Sequence, residues 1–169
     1  RGGPGAGKNR LATELVALAA ASGSLVLRGR GSADDAVPLA PLRDALAACL
    51  REVERLPAAE RADTNARIRR CAGDAMPLLA GFPSTESAGK TSAQDQFTLA
   101  VAGFLTALAR EFGGLLLVLD EVQWLDAGTA RVLIRLAEDL PTVPLLVLAT
   151  GRDDPDSVAR TDAVVDGLG

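Results

Sequence analysis

The sequence predicts a three-layer α/β fold around a parallel sheet, on three observations. Two short, continuous apolar runs, residues 115–119 (LLLVL) and 145–149 (LLVLA), have the character of strands buried on both faces. Between and before them lie segments whose apolar residues recur at helical spacing. A glycine-rich stretch, Gly2 to Lys8, opens directly into the first of those helices. Strands that alternate with helices favour a parallel sheet with helices on its faces.

Composition bounds what such a fold can do. At 169 residues and 48% hydrophobic, the chain is expected to form one soluble globular domain with a core that needs neither disulfides nor metal. Aromatics are only 3%, so Leu, Val and Ala must fill that core. The absence of His, with only Cys49 and Cys71 as thiols, excludes a Ser-His-Asp triad, a Cys-His dyad and the usual zinc ligand sets. The two cysteines are expected to be free, as small apolar groups in a reducing compartment. A net charge of −4 argues against direct nucleic-acid contact by this segment. No apolar run reaches the roughly 18 residues a membrane span requires, and no apolar signal region opens the chain, so the expected location is cytoplasmic. Residue 1 is Arg and the single methionine is Met76, which suggests a piece of a longer protein.

The elements follow in order. Leu11, Leu15 and Leu18, flanked by Ala12, Val16 and Ala19, predict a helix over 9–22 that Gly23 stops. Residues 24–28 (SLVLR) read as a strand, with the Gly29-Arg30-Gly31-Ser32 stretch breaking the pattern. Leu42, Leu46, Cys49, Leu50 and Val53 form a second helical stripe, closed by Pro57. Residues 58–72 read as an exposed helix with Arg67, Arg69 and Arg70 on a solvated face. Residues 57–92 look like a variable helical and loop insert, with 83–92 a loop by composition. Phe97, Val101, Phe104, Leu105, Leu108 and Phe112 give the strongest helical stripe, ended by Gly113-Gly114. Asp126 is a good N-cap for a helix to about Leu140 that buries Val132, Leu133, Leu136 and Leu140. Residues 141–144 make the turn into the last strand, and 153–169 form an acidic tail of undetermined structure.

Two motifs carry chemistry. Gly2-Gly3-Pro4-Gly5-Ala6-Gly7-Lys8 matches G-x-x-x-x-G-K, in which glycines let backbone N–H groups wrap phosphates while the helix aims its positive end at them. Lys8 would hold the β- and γ-phosphates. Asn9 stands where the pattern calls for the Ser or Thr whose hydroxyl binds Mg²⁺; an amide oxygen can ligate that ion but does so less often. The second motif is the apolar run 115–119 followed by Asp120 and Glu121, a Walker B pattern. Asp120 would position Mg²⁺, and Glu121 would act as general base or orient water. Ala88-Gly89-Lys90-Thr91-Ser92 imitates the first motif's ending but lacks the upstream glycine and a preceding apolar strand, and reads as loop.

Asp120-Glu121-Val122-Gln123-Trp124-Leu125-Asp126 resembles the D-[DE]-x-[HQ]-W-x-D segment of the AAA-type ATPase domains of STAND signalling proteins, notably large LuxR-type regulators. The resemblance extends through the phosphate loop, through Leu27-Arg28-Gly29-Arg30-Gly31 and to Thr150-Gly151-Arg152. It implies a three-layer P-loop NTPase fold of the AAA type, one partial domain over 1–169 that lacks its first central strand and its last strand. Since Gly2 begins the motif, three parallel strands are expected, with 115–119 central between 24–28 and 145–149. The resemblance makes Thr150 a polar sensor and Arg152 a γ-phosphate contact, with an ion pair to Asp153 or Asp154 as the alternative for Arg152. Gln123 would orient water or cap the loop, and Trp124 would anchor packing. Nucleotide contacts then comprise Gly2 to Lys8 with Asn9, Arg10 and Thr150; catalysis falls to Lys8, Glu121 and Arg152, and metal binding to Asn9 and Asp120.

The expected function is an ATP- and Mg²⁺-binding switch domain that hydrolyses slowly within a signalling or transcriptional regulator. A non-hydrolysing nucleotide-binding module is the alternative, favoured by Asn9 as the Asp120-Glu121 pair favours the first. A P-loop kinase lacks a visible acceptor site or lid. Expected partners are ATP or ADP, other domains of a longer parent chain and further copies, with no membrane.

Overall fold

The computed structural model describes residues 8–33, 37–73, 91–152 and 157–158, with the backbone alone at 8–9 and 91–94. Among them, helices α1 (Lys8–Ala21), α2 (Ala40–Val53), α3 (Ala58–Ala72), α4 (Thr91–Glu111) and α5 (Ala127–Asp139) surround strands β1 (Leu25–Arg30), β2 (Leu115–Asp120) and β3 (Leu145–Ala149). The strands form one sheet in the order β1-β2-β3, parallel throughout, so the expected central position of 115–119 holds. The α/β class and parallel layering are those predicted. The expectations about a strand before the phosphate loop, and about the tail, lie outside the described residues.

Strand alternation divides the core. Leu27, Leu115, Leu117, Leu119 and Leu145 point into the main cluster with Leu42, Leu46, Val101, Phe104, Leu105, Leu108, Val132 and Leu136 from α2, α4 and α5. Leu116 and Val118, buried but outside that cluster, face the other way, where α1 packs across β1 and β2. Helices thus cover both faces of β2, which explains why its five apolar residues are all buried.

Several boundaries differ from the sequence reading. β1 runs on through Gly29 and Arg30, because β2 offers partners there, Leu119 and Asp120 in register. Glycine is required at 29: a Cβ there would stand 2.2 Å from the Pro41 carbonyl oxygen, where α2 begins. Thr91 and Ser92 already belong to α4, while the rest of the 83–92 stretch lies outside the described residues. Arg69 is exposed as expected, but Arg67 and Arg70 are not simply a solvated face. Arg67 donates to Glu111 Oε1 at 2.9 Å and to the Glu111 carbonyl at 2.5 Å, and lies 4.1 Å over the Phe112 ring. Arg70 adds a 3.1 Å contact to the same carboxylate. These contacts pin α3 to the end of α4.

Both cysteines are free. Cys49 is buried in α2, and burial, with Glu52 nearby, pushes its thiol up to about 11. Among the described residues no helix is long and apolar enough to cross a membrane.

Candidate functional site

The carboxyl ends of the strands converge on one side of the sheet, where open parallel sheets bind ligands. β2 ends in Asp120, whose carboxylate accepts a hydrogen bond from the Thr150 hydroxyl just past β3. Backbone bonds fix that pairing: Thr150 N donates to the Leu119 carbonyl at 2.8 Å, and Val122 N to the Thr150 carbonyl at 3.0 Å. On the other flank Gly31 N donates to the Asp120 carbonyl at 2.9 Å. Asp120 and Thr150 are therefore brought together.

Glu121 leaves the sheet in a left-handed conformation, φ 53° and ψ 46°. For a residue with a Cβ this costs about 1–2 kcal/mol, and such residues gather at functional sites. A short 3₁₀ turn, Val122–Trp124, follows. The Glu121 carboxylate is held by several donors. Gln123 Nε2 donates to its Oε2 at 2.5 Å, Arg152 Nε reaches the same oxygen at 3.2 Å, and Arg30 Nη2 lies 3.8 Å from Oε1. Gln123, 5% exposed, also accepts from the Arg152 backbone N at 3.4 Å, bridging the acid to the β3 end. Arg152 pairs with Glu121; Asp153 and Asp154 are outside the described residues.

Beside Glu121 opens a cleft of about 380 Å³, walled by Arg30, Ser32, Asp44, Trp124 and Arg152. Trp124 is half-buried in that wall. The approach of Arg30 to Glu121 is not legible from local pattern. The signal for it is the parallel register, which sets Arg30 opposite Asp120 once β1 is extended by two residues.

The phosphate loop, 1–7, lies outside the described residues, as do the side chains of Lys8 and Asn9; α1 begins at Lys8. Arg10 points along the helix, pairing with Glu14 at 2.9 Å. Among the described residues no group of three or more His, Cys, Asp or Glu side chains gathers around a metal position. The donors that Asp120 and Thr150 offer are hard oxygens, which suit Mg²⁺, an ion that keeps waters and takes substrate phosphates beside one or two carboxylates.

A parallel α/β sheet whose central strand ends in an acidic pair, beside a polar residue on the next strand, is the arrangement of a P-loop NTPase. A family model for the AAA ATPase domain matches residues 1–148, and the chain belongs to that family. No curated protein and no solved structure matches it.

Proposed function

We propose that this chain is an ATP-binding switch domain that hydrolyses slowly, within a STAND-type regulator related to the large LuxR-type transcriptional regulators. Family membership supports nucleotide binding; the observation that carries hydrolysis is the Glu121 carboxylate, gripped by Gln123 and Arg152 next to Asp120. Lys8 would neutralise the phosphates with the backbone of Gly2 to Gly7, and Asn9, Arg10 and Thr150 would complete the contacts. Asp120 and Asn9 would hold Mg²⁺, which when bound spreads the charge that develops on the phosphoryl oxygens. Glu121 would orient the attacking water, and Arg152 would leave Glu121 for the γ-phosphate. The setting is a cytoplasmic parent chain whose other domains read the nucleotide state, without nucleic-acid contact by this segment.

A second reading, a regulatory module that binds nucleotide without hydrolysis, is favoured by Asn9, which stands in place of a hydroxyl. Steady-state phosphate release by the full-length parent, with and without Mg²⁺, decides between them. Asn9→Thr is expected to strengthen Mg²⁺-dependent ATP binding and raise turnover, because it adds an inner-sphere oxygen ligand. Tight nucleotide binding with no phosphate release before or after the change would leave the inert module standing.

A further inference from the structure

Asp126 makes more contacts than a helix cap needs. Its Oδ1 accepts from Gly128 N at 2.9 Å and Thr129 N at 3.0 Å, and its Oδ2 accepts from the Thr129 hydroxyl at 2.6 Å, which together cap α5. The same Oδ1 also accepts from Leu39 N at 3.0 Å, 87 residues away in sequence. Leu39 sits immediately before α2 in a left-handed conformation, φ 60°, with its side chain 3% exposed. No side chain of α2's own entry caps that helix, and the strained residue turns its N–H toward Asp126.

Glycines at three positions leave room for the surrounding elements to pack closely, Gly29 and Gly31 against backbone and Gly128 against the Leu39 side chain. A Cβ on Gly128 would stand 3.2 Å from Leu39 Cδ2. One on Gly29 would strike the Pro41 carbonyl, and one on Gly31 would come within 2.6 Å of the Glu121 carbonyl and 2.9 Å of the Trp124 carbonyl carbon. The tail of β1, the entry of α2 and the segment 121–128 are thus locked at one point. All three segments line the cleft: Arg30 at the end of β1 with Ser32 just past it, Asp44 from α2, and Glu121 and Trp124 from 121–128.

We infer that Asp126 is a positioning residue, whose bond to Leu39 holds the α2 wall of the cleft in register with Glu121. Its effect on turnover rests on the reading of Glu121 given above; its effect on the joint does not.

Asp126→Ser and Asp126→Asn separate the two duties. Serine is a good N-cap but too short to reach Leu39 as well, whereas asparagine keeps an oxygen where Oδ1 stands. Trp124, the chain's single tryptophan, reports the joint by its emission, and the Leu39 amide reports it by hydrogen exchange. In Asp126→Ser, Leu39 exchange is expected to accelerate about tenfold or more and Trp124 emission to move to longer wavelength, with helix content by circular dichroism retained. Asp126→Asn should match the parent in both. With Mg²⁺·ATP as the probe, Asp126→Ser should lower kcat about 10- to 100-fold with little change in nucleotide Kd. Unchanged Leu39 exchange and Trp124 emission in Asp126→Ser would overturn the joint, as would equal losses in Asp126→Ser and Asp126→Asn. A parent that neither binds nor hydrolyses ATP, with the exchange and emission results as expected, overturns the functional reading and leaves the joint intact.

Discussion

On the proposed reading Lys8 and Glu121 act at different moments, so their loss should have different signatures. Lys8→Ala would remove a charge that, on that reading, binds ground state and transition state alike, and nucleotide affinity should fall about 10- to 100-fold, the worth of one charge-assisted hydrogen bond. Glu121→Gln keeps the side chain's shape and its hydrogen bonding to Arg152. Binding should persist while phosphate release drops about 10²-fold or more, as for loss of a water-activating base. Fluorescent-nucleotide titration beside phosphate release checks both; equal loss of affinity in the two variants would show that Glu121 serves binding. At this scale Asp120, Glu121 and Asp126 were legible, since an acidic pair after an apolar run and an N-cap before a helical stripe are local patterns. The left-handed turn at Glu121 and its grip by Gln123, Arg152 and Arg30 were not. The contacts from Arg152 and Arg30 arise only when β3 and β1 flank β2 and bring residues 31 and 91 positions away onto one carboxylate.

The element scale rests on helix contacts and close backbone approaches that apolar periodicity does not register. The run 145–149 marked β3 well because its ends are turn residues, whereas β1 was cut short at Gly29, a glycine that reads as a breaker and serves as a docking surface for α2. Gly29→Ala should therefore destabilise the fold by about 1–3 kcal/mol as backbone is forced apart. Gly103→Ala, in α4 with open space around it, should stabilise by about 0.5–1 kcal/mol through helix propensity. Denaturant midpoints at constant m-value measure both, and a neutral Gly29→Ala would mean that α2 can slide on β1. The α3–α4 clamp makes a pH-dependent prediction. Hydrogen bonding from Arg67 foremost, joined by Arg70, holds the Glu111 carboxyl below its ordinary range. A folded-state value below the unfolded one contributes stability that is complete above the unfolded value, about 4.3, and is lost as pH falls through the folded value. Glu111→Gln should then lower Tm at neutral pH, and the gap from the parent should close in acid. A gap that stays constant with pH would show that the charge of the Glu111 carboxylate plays no part in the clamp.

At the scale of the molecule, the sheet is covered unevenly, and this too was partly readable. The pattern of apolar runs announces a layered α/β domain; strand order, which decides which strand stands exposed, has no local mark in the sequence and is legible only through the family resemblance, which puts 115–119 central and 145–149 on its flank. In the structure β3 is an edge of the described sheet, with β2 on one side only. Its Leu146 is in register with the buried Leu116, on the face where α1 packs over β1 and β2, yet it is 54% exposed. On α1 itself Leu11 and Leu18 are 56% and 67% exposed. Strand edges that carry uncovered apolar side chains pair with other chains unless charge or cover prevents it. The 169-residue chain should therefore self-associate as concentration rises, with its weight-average mass in sedimentation or light scattering climbing above the 17.4 kDa monomer. Leu146→Lys places a charge on that edge without touching the main core, and should shift the population to monomer with an unchanged circular dichroism spectrum. A parent that stays monomeric at high concentration, or a Leu146→Lys variant that associates as strongly, would mean that this edge is covered by other parts of the chain.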